Sequence, residues 1–242
     1  MNTKKDSMKV GTLDVHTVKK NIKNIHLGVY PPNGRIRVAA PLKTSEEAIR
    51  LFVISKIPWI KKQHLKFSKQ PRQTKREFVS GESHYFLGSR YRLNVIHANV
   101  SPKVEIKGKN QINLQIRPGT STESRKKILE NFYRSELKKQ IPALIGKWEK
   151  VIGVKINEVS IKKMKTKWGT SNPKENRIWI NLELAKNSIQ CMEYVLVHEM
   201  AHFLEKNHND QFHNLMNSFL PQWQQYKAEL NNSELGFFVW SN

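Results

Sequence analysis

The chain has one cysteine in 242 residues, which excludes an intramolecular disulfide and any paired-cysteine zinc site. Cys191 lies close to the apolar Val195 and reads as a small core residue suited to a reducing cytoplasm. Long apolar runs are missing as well. Nothing approaches the roughly 18 to 20 residues that a membrane helix needs, and the opening MNTKKDSMKV has charge with no apolar stretch behind it. The expectation is a cytoplasmic protein without a membrane span. Acids are scarce: 20 Asp and Glu stand against 42 Lys and Arg, for a formal net charge of +22. The scarcity is uneven, because from Cys191 onward two lysines face six acids, which leaves residues 1–190 with +26. An excess of that size fits a solvated basic surface or contact with nucleic acid or an anionic membrane.

What is present divides by pattern. Residues 1–21 are polar and read as a loose basic tail. IHLGVYPPNGRIRVAAPL reads as two strands around Pro31-Pro32-Asn33-Gly34, since Asn-Gly between strand-like runs is a hairpin cue. Thr44 or Ser45 can cap a following helix whose apolar residues Ile49, Leu51, Phe52, Ile54 and Ile57 recur at helical spacing, with Pro58 kinking or interrupting it. SKQPRQTKR, residues 68–76, reads as a connector. Short strands around Gly81 and Gly88 and alternation in KVEIKGKNQINLQIRP complete a β-rich basic region over 22–117. After Pro118-Gly119 the pattern becomes a long amphipathic helix over Thr122–Val151, striped by Ile128, Phe132, Leu137, Ile141, Leu144 and Trp148. The change marks a domain boundary near 118, with the second region running over 118–242. Two strands, KINEVSIKKM and NRIWINLELA, then precede a last helical segment. The order of elements is that of an α+β fold, and no internal repeat is visible.

That last segment contains VLVHEMAHFLEKNHNDQFH. Of nine histidines in the chain, four fall between 198 and 213. Asn187, with Gln190 three residues on, can form a capping box that starts a helix running to about Lys206. His198 and His202 are then one turn apart on one face, the spacing for two ligands of a single zinc ion. Glu199, rotated about 100° from His198 around the helix, can reach a water that completes the metal's coordination and take its proton. His208 lies past the helix in a turn able to fold back, and it is the leading candidate for third ligand. His213 and an acid such as Glu205 or Glu234 compete with it. Asn209 or Asp210 can cap a short helix DQFHNLMNSFL, with His213 to one side, and Asp210 can orient an imidazole.

These stretches resemble the YgjP-like metallopeptidase family, relatives of the SprT-like zinc proteases. The resemblance runs from about residue 22 to 232. NGRIRVAAPLKTSEEAIRLFVISKIPWI and FVSGESHYFLGSRYRLNVI are similar to the family's N-terminal region. KMKTKWGTSNPKENRIWINLELA, YVLVHEMAHFLEKNHNDQFH and FLPQW are similar to its catalytic half. The resemblance implies a zincin-like catalytic domain over 118–242, with His198, His202 and His208 as zinc ligands and Glu199 as catalytic base. It also implies a sheet edge beside the active-site helix, with IWINLEL as that edge, where an extended substrate adds as a strand. Where the family usually has Trp-Gly-Ser-Cys, this chain has Trp168-Gly169-Thr170-Ser171, and His213 stands where relatives commonly have an aromatic residue. Trp168, Gly169, Asn181 and Tyr194 are the candidate substrate-binding residues.

The leading functional expectation is a zinc-dependent peptidase acting on peptides or proteins. A zinc-dependent hydrolase of an anionic substrate such as a nucleotide or nucleic acid is the alternative, because the same chemistry attacks phosphorus and residues 1–190 are basic. A DNA-associated protease would combine the two. A basic nucleic-acid-associated module with a closed structural metal site is the non-enzymatic reading.

Overall fold

The structure, a computed structural model, describes residues 5–30, 34–69, 76–164 and 167–232. Its backbone is mixed α+β and forms two compact units, 1–72 and 73–242.

In the first unit β1 (Lys5–Val10), β2 (Leu13–Lys20), β3 (His26–Tyr30) and β4 (Arg35–Pro41) form a sheet of order β1-β2-β4-β3. The outer pairs are antiparallel and β2 runs parallel to β4. Val15, Ile36, Val38 and Ala40 turn inward to meet Ile49 and Val53 of α1 (Glu46–Ser55) and Ile60 of α2 (Ile57–Lys69). The Ser45 side chain caps α1 by accepting from the Ala48 amide at 3.2 Å. Pro58 sits in the first turn of α2, where its missing N–H costs nothing, and the two helices part at Lys56. Residues 5–20 are therefore strands and not a loose tail. Their polar residues mask an alternation whose apolar half, Val10 and Val15, is buried. The expected turn residues Pro31 to Asn33, and most of the expected connector, lie outside the described residues. The strands flanking that turn do pair antiparallel, with Tyr30 opposite Arg35.

In the second unit β5 (Ser83–Phe86), β6 (Ser89–His97), β7 (Lys103–Lys107) and β8 (Gln111–Ile116) repeat the same topology, with order β5-β6-β8-β7 and β6 parallel to β8. As in the first unit, the last strand leads into a proline, here Pro118, and then a serine-capped helix. The helix is α3 (Thr122–Ile152), capped by Ser121. The chain thus contains a repeated backbone pattern although no residue repeat is visible. Hairpins need only alternation and a turn, so different side chains build the same sheet.

Leu93, Ile112, Leu114 and Ile116 share one core with Leu129, Tyr133 and Leu137 of α3. The shift from strands to helix at 118 accordingly falls inside a unit, and the compact units part at 72/73. A change of period marks a change of element and says nothing about which elements share a core. Leu114 is fully buried between sheet and helix. We expect Leu114→Ala to cost about 2–5 kcal/mol, read by urea unfolding.

After α3 come β9 (Glu158–Lys162), β10 (Gly169–Asn172) and β11 (Arg177–Asn181), in the order β10-β11-β9. The expected strand through Leu184 stops at Asn181. Its side-chain oxygen accepts from the Glu183 amide at 3.2 Å and starts a 3-10 turn, Leu182–Lys186. Then follow α4 (Ile189–Ala201), α5 (Asp210–Phe219) and α6 (Trp223–Asn232). Among the described residues no helix is long and apolar enough to cross a membrane.

Candidate metal centre

Helix α4 carries the His-Glu-x-x-His run. Ser188 caps it, its hydroxyl accepting from the Cys191 amide at 3.3 Å. The expected cap, Asn187, is already engaged: its side chain donates to the Glu183 carbonyl at 3.2 Å and its amide to the Leu184 carbonyl at 3.0 Å. The helix is buried on nearly every side from Cys191 to Ala201, so His198 and Glu199 are only 4% exposed. It ends at Ala201, earlier than the expected Lys206. There the Phe203 amide bonds the Met200 carbonyl at 3.0 Å and the Leu204 amide bonds that of Ala201 at 2.9 Å, tightening the last turn.

That early turn returns His208 to the helix. One ring nitrogen from each of His198, His202 and His208 lies within 4.8 Å of the other two. Nε2 of His208 is 3.0 Å from Nε2 of His198. Two nitrogens each bonded to one tetrahedral zinc ion at about 2.0–2.1 Å stand about 3.3 Å apart, so small ring rotations fit the triad to such an ion. Nδ1 of His202 lies 3.0 Å from the Glu205 carbonyl, a partner that fixes the N–H there and leaves Nε2 as the electron-pair donor. Burial, reinforced by the neighbouring His202, His208 and Lys227, holds the His198 imidazole down to about 2. Burial lowers His202 and His208 as well. The three rings are neutral at neutral pH, which is the state that ligates a metal.

The floor of the cluster is Phe212, whose ring centroid lies 5.0, 4.7 and 4.8 Å from those of His198, His202 and His208. Asn209 starts α5 by accepting from the Phe212 amide at 3.0 Å, so one cap places both the floor and the neighbouring His208. We expect Phe212→Ala to cost about 3–5 kcal/mol of stability and to weaken metal binding, measured by unfolding with and without added zinc.

The competing ligands are placed elsewhere. His213 stacks on Trp223 at 5.8 Å and an interplanar angle of 19°. The Glu205 carboxylate accepts from the Asn207 amide at 2.9 Å, and Glu234 lies outside the described residues. The carbonyl of Glu205, and not Asp210, meets the His202 nitrogen.

Glu199 projects from α4 toward β10. Burial raises its carboxyl to about 7, against the opposing pull of the Ser171 hydroxyl and the Lys167 ammonium. A cleft of about 820 Å³ opens over this carboxylate and the three imidazoles, walled by Lys167, Thr170, Asn172, Lys174, Phe203 and Lys206. Gly169 also lines it. Trp168, Asn181 and Tyr194 do not, and each is 1% exposed. The Asn181 amide nitrogen donates to the Met164 and Lys167 carbonyls at 3.0 and 2.7 Å, holding the segment that leads into β10. The Tyr194 ring packs edge-on to His198 at 5.8 Å and stacks on Trp223. Nor is IWINLEL the sheet edge. Strand β11 is paired on both sides, to β10 and to β9, so the edge strand in the cleft is β10.

A family model, YgjP-like, metallopeptidase domain, matches residues 23–233. None of the curated proteins matches the chain. Two solved structures are similar over a smaller part. The metallopeptidase zymogen abylysin of Pyrococcus abyssi is 18% identical with a TM-score of 0.35, covering 38% of this chain and 91% of its own. The metallopeptidase zymogen jannalysin of Methanocaldococcus jannaschii is 22% identical with a TM-score of 0.33, covering 37% and 92%. With the family model spanning most of its length and the histidine triad assembled within that span, the chain belongs to the YgjP-like metallopeptidase family.

Proposed function

We propose that the protein is a zinc-dependent metallopeptidase in which His198, His202 and His208 hold the ion and Glu199 is the general base. The observation that carries this is the convergence of three buried or half-buried imidazole nitrogens within 4.8 Å, in a cleft that also contains the Glu199 carboxylate. A helix bearing His-Glu-x-x-His beside a small sheet supports the zincin-like reading. When bound, a divalent ion supplies Lewis acidity to an attacking water and a substrate carbonyl. The rest is done by the chain. Strand β10 offers its unpaired edge to an extended peptide, which adds by backbone hydrogen bonds. Glu199 takes a proton from the attacking water and returns it to the leaving amine. The walls of the cleft limit bulk water around the carboxylate, which keeps its basicity high.

Peptide-library digestion tests this. Cleavage should appear with the purified protein, vanish on chelation and return with zinc. A second reading, hydrolysis of a nucleotide or other phosphoester, is favoured by Lys167, Lys174 and Lys206 on the cleft wall, where Glu199 is the single acid among the described lining residues. Nucleotides in the same panel separate the two: phosphate release without peptide cleavage would replace the first reading with the second.

A further inference from the structure

Gly169 does not owe its identity to its backbone, because its φ lies outside the left-handed region. Its lack of a side chain matters for another reason. A Cβ at that position would stand 2.8 Å from Cγ of Glu199, 2.8 Å from its Oε1 and 2.9 Å from Cγ1 of Val195. Those distances are far inside van der Waals contact, and both neighbours sit on a helix buried on nearly every side. Val195 is fully buried and has no room to swing aside, and Glu199 could give way only by moving its carboxylate within the cleft. Ser171, two residues on, shares the same face of β10 and lines the same cleft as Glu199, where its hydroxyl pulls the carboxyl down against the effect of burial.

We propose that Gly169 and Ser171 are positioning residues for Glu199: Gly169 leaves the space its carboxylate occupies, and Ser171 fixes its orientation by a hydrogen bond. This rests on the reading of Glu199 as the base. The same four-residue strand then does two jobs. Its outer edge registers the substrate, while its helix-facing side chains hold the group that moves the proton, so base and scissile bond are placed by one rigid element. The positioning role explains glycine in a strand where an alanine would otherwise pair better. It also gives Ser171 a function in a chain that lacks the usual cysteine of the Trp-Gly-Ser-Cys run.

The test uses the full-length zinc-loaded protein and its Gly169→Ala, Ser171→Ala and Ser171→Thr variants, measured for zinc content, for kcat and KM on one cleaved peptide, and for urea unfolding. Zinc content should stay at the wild-type value and KM within about twofold, while kcat falls on the order of 10²-fold for Gly169→Ala, the scale of a 1 Å misplacement. Ser171→Ala should lower kcat roughly tenfold or more, as loss of a hydrogen bond to a charged group does, and Ser171→Thr should restore most of it. The stability cost of Gly169→Ala should shrink in a Glu199→Ala background, since two of the three atoms that the new Cβ meets are gone and only Val195 Cγ1 remains. An undiminished cost in that background, or an unchanged kcat in Ser171→Ala, would overturn the proposal. If Gly169→Ala does not fold, Ser171→Ala, which only removes atoms, carries the test alone. Wild-type turnover in Glu199→Gln would instead remove the base assignment itself, whatever the Gly169 variants do.

Discussion

Glu199→Gln should leave one zinc ion per chain in place and cut peptide hydrolysis by about 10²–10⁴-fold, the range that a positioned general base supplies. Glutamine has nearly the same shape, and it still presents a carbonyl oxygen to the Ser171 hydroxyl. It cannot take up a proton. The metal should be untouched because the proposed ligands are the three imidazoles, and Glu199 lies toward β10, against Gly169. The measurement pairs metal analysis with single-turnover hydrolysis. Persisting hydrolysis would assign the base elsewhere, and loss of zinc would make Glu199 a structural partner of the ligands.

His208→Ala should have a comparably large effect by a different route. Structural zinc sites bind with about 10–16 kcal/mol in total, so removing one of three ligands removes on the order of 3–5 kcal/mol, or at least 10²-fold in affinity. Dialysis against a weak chelator should strip this variant while the wild type keeps its ion. His213→Ala is the control, because its ring stacks on Trp223 outside the triad and its loss should leave zinc affinity within about twofold. Equal losses from both variants would mean that the turn after Ala201 does not deliver residue 208 alone to the metal.

The histidine cluster was legible in the sequence because it is local. A helical turn separates His198 from His202, and Asn209 marks the next helix start, so periodicity and capping rules place both. The early stop at Ala201 was less legible: the run to Lys206 stays compatible with a helix, and only the return of His208 to the face of His198 and His202 demands the break. Strand β10 was the hardest element to see. Gly169-Thr170-Ser171-Asn172 has none of the apolar alternation that marks a strand, and its place is set by pairing to β11 and by the room Gly169 leaves for Glu199. For the same reason the apolar IWINLEL drew the edge assignment, although its apolar residues reflect a central strand paired on both sides. Trp168, Asn181 and Tyr194 looked like cleft residues because they neighbour the motifs. A polar Asn181 that satisfies four backbone groups is buried for structural reasons that no spacing rule encodes. The repeated sheet topology of the two units escaped notice because topology depends on strand order, not on the residues that decorate it.

The most direct test is anomalous diffraction at the zinc edge from crystals of the zinc-loaded protein. The account predicts a single peak about 2.0–2.1 Å from one ring nitrogen each of His198, His202 and His208, with no fourth protein ligand and the Glu199 carboxylate facing the open side. A peak elsewhere, or an ion closed off by a fourth side chain, would contradict it.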